Sequence, residues 1–161
     1  MNTGSDKSML RERRFAELSS LTHEMFTVEF DYQEGRARLT ATALIMAFHG
    51  DYRPGSRGNP DARFMEAMVC AGTSAWEPRV LVLDLRGLSY FGGDMIGRAW
   101  EMEPRLPTAI VVSDTCRVAM TSYVAQEMGE DPAAWLFPSA QEALDAAIER
   151  FKRERTEHGV R

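Results

Sequence analysis

The stretch DLRGLSYFGGDMIG, Asp84 to Gly97, decides how the rest of the chain is read. It continues VLVL, Val80 to Leu83, and the run VLVLDL is the continuous apolar kind that a strand covered on both faces carries. Beyond it, Met95, Ile96, Ala99 and Trp100 have helical spacing, and Pro104 and Pro107 mark the exit of the predicted helix. Strand therefore gives way to helix through Gly92, Gly93 and Asp94. A glycine pair at such a junction can cradle an anion, shape an oxyanion site or make a tight turn.

Downstream, TAIVV at 108–112 repeats the apolar run. A helix is predicted after Asp114, with Cys116, Ala119, Met120, Tyr123 and Val124 on one face and Gly129 as its stop. WLF at 135–137 supplies a short strand. Ser139 and Glu142 form an S-x-x-E capping box, followed by the stripe Ala140, Ala143, Leu144, Ala147, Ile148 and Phe151. The closing KRERTEHGVR is expected to fray.

Upstream, the period is two. Phe26, Val28, Phe30 and Tyr32 alternate with polar residues, Glu34-Gly35 turns, and Leu39, Ala41, Ala43 and Ile45 alternate again, which predicts a hairpin with one buried face. HGDYRPGSRGNPD at 49–61 is too polar to pack and too broken for a regular element, so a long loop is expected, either a binding loop or a solvated connector. Asn59 offers an N-cap and Pro60 a first helical residue, with Phe64, Met68 and Ala71 on one face of the helix that follows. Met9, Leu10, Phe15, Leu18 and Leu21 predict a helix near the N-terminus.

In order, helix, hairpin, then alternating helix and strand build a single α/β domain on one mixed sheet that opens with an antiparallel hairpin. The expected divisions are an N-terminal helical extension at 1–25, the α/β domain at 26–155 and a frayed tail at 156–161. With 161 residues, 44% hydrophobic and 27% charged, the chain can bury a core as one domain. A formal charge of -5 opposes generic nucleic-acid binding, which needs a basic face. No run approaches the roughly 20 apolar residues of a membrane span, and MNTGSDKSMLRERR lacks a secretory apolar core, so no membrane insertion and a cytoplasmic location are expected. Cys70 and Cys116 stand far apart, and His23, His49 and His158 are scattered, giving neither a disulfide framework nor metal-ligand spacing. No cofactor is expected.

DLRGLSYFGGDMIG resembles, without a gap, the strand-turn-helix D-L-S-G-V-S-F-I-D-S-S-G-L-G of STAS domains, the fold of bacterial anti-sigma-factor antagonists and of the cytoplasmic tails of sulfate transporters. Asp84, Leu85, Gly87, Ser89 and Gly97 coincide, and Leu88, Tyr90, Phe91 and Ile96 are similar in kind. AIVVSDTCRVAMTSYVAQEMGED is similar to that family's next strand, loop and helix, and WLFPSAQEALDAA to its final strand and capped helix. The resemblance spans roughly residues 79–150, with the hairpin at 26–45 fitting the family's opening strands. It implies a STAS-like fold and a surface that meets a protein partner. Antagonists of this family carry a serine, phosphorylated by a partner kinase, where this chain has Asp94. Asp94 reads either as a helix cap or as a fixed negative charge on the partner surface.

The competing enzyme reading is crotonase-like, in which a glycine-rich turn ending in aspartate, such as YFGGDMI, aims backbone N–H groups at a thioester oxyanion. The second glycine-rich segment it requires is absent from TAIVVSDTCRVAMTSY. Cys116 near a helix start could gain thiolate character, but Asp114 opposes this and no histidine is near in sequence. Ser113 and Ser74 have no traceable base, and Asp84 reads as structural. Arg11, Arg13, Arg14 and the 150–155 cluster are interspersed with glutamates and read as solvated faces. The expected function is therefore a non-catalytic regulatory protein that binds a protein partner, whether regulator, kinase or toxin, through Tyr90, Phe91, Gly92, Gly93, Asp94, Met95 and Arg98. An antidote-type inhibitor of a toxin or enzyme fits equally. Self-association through the hairpin edge or the N-terminal helix stays open.

Overall fold

The computed structural model describes residues 18–93, 95–101 and 105–158. Five strands form one sheet in strictly sequential order: β1 (Thr22–Glu34), β2 (Ala37–Asp51), β3 (Val80–Ser89), β4 (Thr108–Val111) and β5 (Leu136–Phe137). β1 and β2 pair antiparallel, and every later pairing is parallel. The helices are α1 (Asn59–Trp76), α2 (Asp114–Ser122) and α3 (Ala140–His158). The single α/β architecture with a mixed sheet is as the sequence predicts.

Side-chain alternation divides the core into two layers. Leu44, Met46 and Phe48 of β2 and Leu81, Leu83 and Leu85 of β3 point to one face and pack with Met65 and Val69 of α1 and Cys116 and Met120 of α2. Ala43, Ile45, Val80, Val82, Ala109 and Val111 point to the other, where Ala143, Leu144, Ala147 and Phe151 of α3 cover them. Strands buried on both faces need apolar residues at odd and even positions alike, which is why VLVL and AIVV show no alternation. Each Val, Leu, Ile, Met or Phe side chain so taken out of water contributes about 1.5–3 kcal/mol.

The hairpin forms with Gly35 at φ 60 in its turn. Val28, Phe30 and Tyr32 lie against the α3 layer, as the alternation predicts, whereas Phe26 of the same set is 52% exposed. Phe30 and Tyr32 meet Phe151 edge-on at 5.7 and 5.0 Å. Ser139 Oγ accepts from the Glu142 amide at 3.3 Å, so the S-x-x-E motif does cap α3, although its hydroxyl donates to Glu142 Oε1 at 3.1 Å instead of leaving that carboxylate to a backbone amide.

Several boundaries differ from expectation. β1 starts at Thr22, so Thr22–Met25, expected within a helical extension, are strand; the rest of the N-terminal helix lies outside the described residues apart from the stretch from Leu18 on. The loop expected at 49–61 is shorter, because β2 runs on to Asp51 and α1 begins at Asn59. Gly58, not Asn59, stands at the N-cap, and no side chain caps the helix. The buried stripe of α1 is Ala62, Met65, Val69 and Gly72 with Phe64, leaving Ala71 exposed. The helix expected through Met95 and Trp100 is a single 3-10 turn, Ile96–Ala99. The expected tail is helical as far as His158. Arg155 helps hold it there, pairing with Glu34 at 2.6 Å and lying over the Tyr32 ring at 5.9 Å.

Candidate functional site

The turn that follows β3 lies at the carboxyl end of the parallel strands, where open α/β sheets place their binding surfaces. Its base is built by β2 and β3 together. A register shift between Ala47 and His49 brings the imidazole over Gly87, where a Cβ would stand 2.1 Å from His49 Nδ1. A side chain there would require the His49 ring to shift, which favours the G of DLRGLS. Asp84 fixes the next residue: its carboxylate accepts from the Arg86 amide at 3.1 Å and from Arg86 Nη2 at 2.6 Å. Burial pushes the Asp84 carboxyl up, but these Arg86 bonds outweigh it and hold the group below the usual carboxylate range.

Past Ser89 the chain wraps around one buried ring. Tyr52 is 3% exposed and meets Tyr90 edge-on at 5.2 Å, and its amide donates to Ser89 O at 3.1 Å. Tyr90 Oη donates to Gly93 O at 3.1 Å, closing the turn on itself. A Cβ on Gly93 would come 2.9 Å from Tyr52 Cε1, and one on Gly58 would come 2.4 Å from the same atom. Gly92 has open space around it but φ 138, a region that side chains rarely adopt. Each glycine of the pair thus has its own structural cause: Gly92 the backbone angle, Gly93 the approach of Tyr52.

The turn presents one large apolar group. Phe91 is 75% exposed, while its neighbour Tyr90 is 1% exposed and cannot touch a partner without unpacking. Gly92 and Gly93 are half-buried, and Asp94 lies outside the described residues. Met95 is half-buried and packs on the core. Arg98 ties the 3-10 turn to α1 through a forked pair with Glu66, Nε to Oε2 at 2.7 Å and Nη2 to Oε1 at 3.2 Å, which raises the guanidinium pKa further. Trp100 is buried, as its spacing predicts, and stacks edge-on against Tyr123 at 5.7 Å. Burial, with Glu101 close by, pushes the Tyr123 phenol up to about 12. Of the seven expected contact residues, Phe91 alone is fully open to solvent among those described.

Beside this turn lies a network that sequence reading missed. Asp61, in the first turn of α1, is completely buried. Its carboxylate accepts from Ser19 Oγ at 2.6 Å, the Arg53 amide at 3.0 Å, and Arg53 Nε and Nη2 at 2.9 Å each. Arg53 Nη2 also donates to Leu18 O at 2.7 Å. Burial works to raise the Asp61 pKa, yet the bonds from Arg53 and Ser19 win and hold it below the ordinary carboxylate value. The polar segment before α1 is therefore pinned at Arg53 by one carboxylate, while Pro54 to Arg57 are exposed. The clue in the sequence was an Arg and an Asp eight residues apart with glycines and prolines between them.

A concavity lies at the opposite end of β3 and β4. It measures about 520 Å³ and is lined by Val69, Leu81, Trp100 and Leu106, with Thr73 and Arg79 among its polar contributors. The Thr73 hydroxyl is occupied by Val69 O and Cys70 O. Cys116 is buried with its thiol against Leu85 O at 3.6 Å, so it faces the core. Among the described residues no three His, Cys, Asp or Glu side chains are placed to hold a metal ion, and no helix is long and apolar enough to cross a membrane.

No protein-family model matches the chain, and no curated protein matches it.

Proposed function

We propose that this protein acts by binding a protein partner through the turn after β3, with Phe91 as the anchor, and that it is a STAS-like regulatory or inhibitory module and not an enzyme. The observation that carries the reading is the exposure of Phe91, 75%, on a turn held to the core through Tyr90 and Gly93. A large aromatic held out on a preorganised support is the kind of group that dominates binding energy at interfaces, because little flexibility is lost when it docks. The motif residues Asp84, Leu85, Gly87, Ser89 and Gly97 support the STAS likeness. Asp94 in place of the phosphorylated serine gives a surface that works without a kinase switch. The mechanism is competitive occupancy: the partner, a regulator or a toxin, is silenced while it holds Phe91. The acyl-CoA reading loses its motive, since both glycines of the turn have structural causes.

The test compares proteins captured from the source cells by the immobilised wild type with those captured by Phe91→Asp, using Val118→Asp as a control at another exposed apolar residue, 77% exposed. The expected result is a partner retained by wild type and control and lost by Phe91→Asp at unchanged melting temperature. A partner held equally by all three, or turnover of an acyl-CoA substrate that Phe91→Asp preserves, overturns the proposal.

A further inference from the structure

We infer that β1 pairs with the β1 of a second copy of this chain, joining two five-stranded sheets into one. Among the described residues β1 stands at the end of the strand order and is bonded along one side only, to β2. Its 13 residues make a long edge, and such an edge offers a row of open N–H and C=O groups to another strand.

Its charges are compatible with self-pairing. Two of the four carboxylates are neutralised within the chain, Asp31 by Arg38 and Glu34 by Arg155, and Glu24 lies 3.4 Å from His49 Nε2. Glu29 alone of the four has no ion-pair or hydrogen-bond partner among the described residues. A two-fold axis perpendicular to the sheet keeps each helical layer on its own side and pairs residues of the same face. Placed at Val28, the midpoint of β1, that axis pairs the whole strand.

In this register Phe26 of one copy faces Phe30 of the other, Val28 faces its equivalent, Thr27 faces Glu29, Met25 faces Asp31 and Glu24 faces Tyr32. No two like charges stand directly opposite. Moving the axis to Glu29 would set Glu29 against itself and Glu24 against Glu34, which like-charge repulsion disfavours. The register also explains Phe26, which α3 leaves 52% exposed although Val28, Phe30 and Tyr32 of the same face are covered. Across the axis it gains an aromatic neighbour that itself leans on Phe151. This surface is separate from the Phe91 turn and does not depend on its role.

The test is the solution mass of the full chain by sedimentation, with charge variants at Thr27. The wild type is expected at twice the chain mass, tightening as salt screens the two Glu29 carboxylates that lie diagonally across the axis. Thr27→Glu sets a carboxylate opposite Glu29 twice and should weaken the dimer roughly two- to thirtyfold. Adding Glu29→Arg to that variant should restore it, and an unchanged circular-dichroism spectrum of Thr27→Glu shows that the singly changed chain folds. A single-chain mass at every concentration, whether because residues before β1 cover the edge or because it stays open, overturns the inference. So does a dimer indifferent to Thr27→Glu, or one that salt dissolves.

Discussion

Tyr52 and Gly93 touch so closely that a single methyl on Gly93 would stand 2.9 Å from the tyrosine ring. Residues 41 apart in sequence thus set the shape of the turn that carries Phe91. Gly93→Ala should lower stability by about 1–3 kcal/mol, since neither the buried ring nor the closed turn can step aside cheaply. Urea denaturation measures the loss, and in a Tyr52→Ala background the added cost of Gly93→Ala should largely vanish. An equal cost in both backgrounds would locate the strain elsewhere.

Asp61→Asn should destabilise the fold by about 2–4 kcal/mol, because it leaves Arg53 without its counter-charge and a buried amide short of matching donors. The pH dependence follows from the direction of the shift. Asp61 is held below its unfolded value, near 3.9, so its contribution is complete above that pH and fades as pH falls through the folded pKa. Asp84 is shifted the same way and adds to the same acid limb. A melting-temperature series downward from pH 6 should show a shallower acid decline in Asp61→Asn than in the wild type.

Glu77 ends α1 with φ 44, the left-handed conformation that side chains pay to adopt, and its amide closes the helix by donating to Thr73 O at 3.0 Å. Glu77→Gly should therefore stabilise the protein by about 1 kcal/mol. A lower melting temperature in that variant would mean that the Glu77 side chain makes up for its backbone.

Ser139→Ala removes the side-chain acceptor of the Glu142 amide at the start of α3 and should cost about 1 kcal/mol. Amide exchange should speed up most at Glu142 and its neighbours, with little change in α1.

The sheet was legible where one physical demand governed the sequence. VLVL and AIVV read as strands because burial on both faces requires continuous apolar residues, and α3 announced itself with a cap and a stripe. The extent of β2 was hidden because its last residues, His49, Gly50 and Asp51, lie past the covered part of the sheet and carry no apolar pattern. The 3-10 turn looked like a longer helix because Ile96, Ala99 and Trp100 satisfy helical spacing within one turn, and only the packing of Gly97 under Tyr123 Oη limits what can be placed there. The Asp61 network was invisible for another reason: a buried carboxylate becomes affordable only through Arg53 and Ser19, and nothing in a linear reading joins three polar residues across 42 positions. At the Phe91 turn the motif was visible, but exposure was not, since alternation along Tyr90 and Phe91 gives two aromatics and does not say which one the fold keeps.

The division of labour between the two sheet faces has a consequence for how the chain is made. The described parts of the connections between the parallel strands, with α1 and α2, pack on one face, so that layer can assemble as the polypeptide emerges. Among the described residues the opposite face has one cover, α3, which follows every strand and reaches back to the first, tying Arg155 to Glu34 across 121 positions. Until residues beyond 139 are synthesised, no described helix lies over Ile45, Val82 and Val111. The nascent chain therefore passes through a half-covered sheet, and a ribosome that pauses before α3 emerges would prolong the stage most open to chaperones and to misassociation.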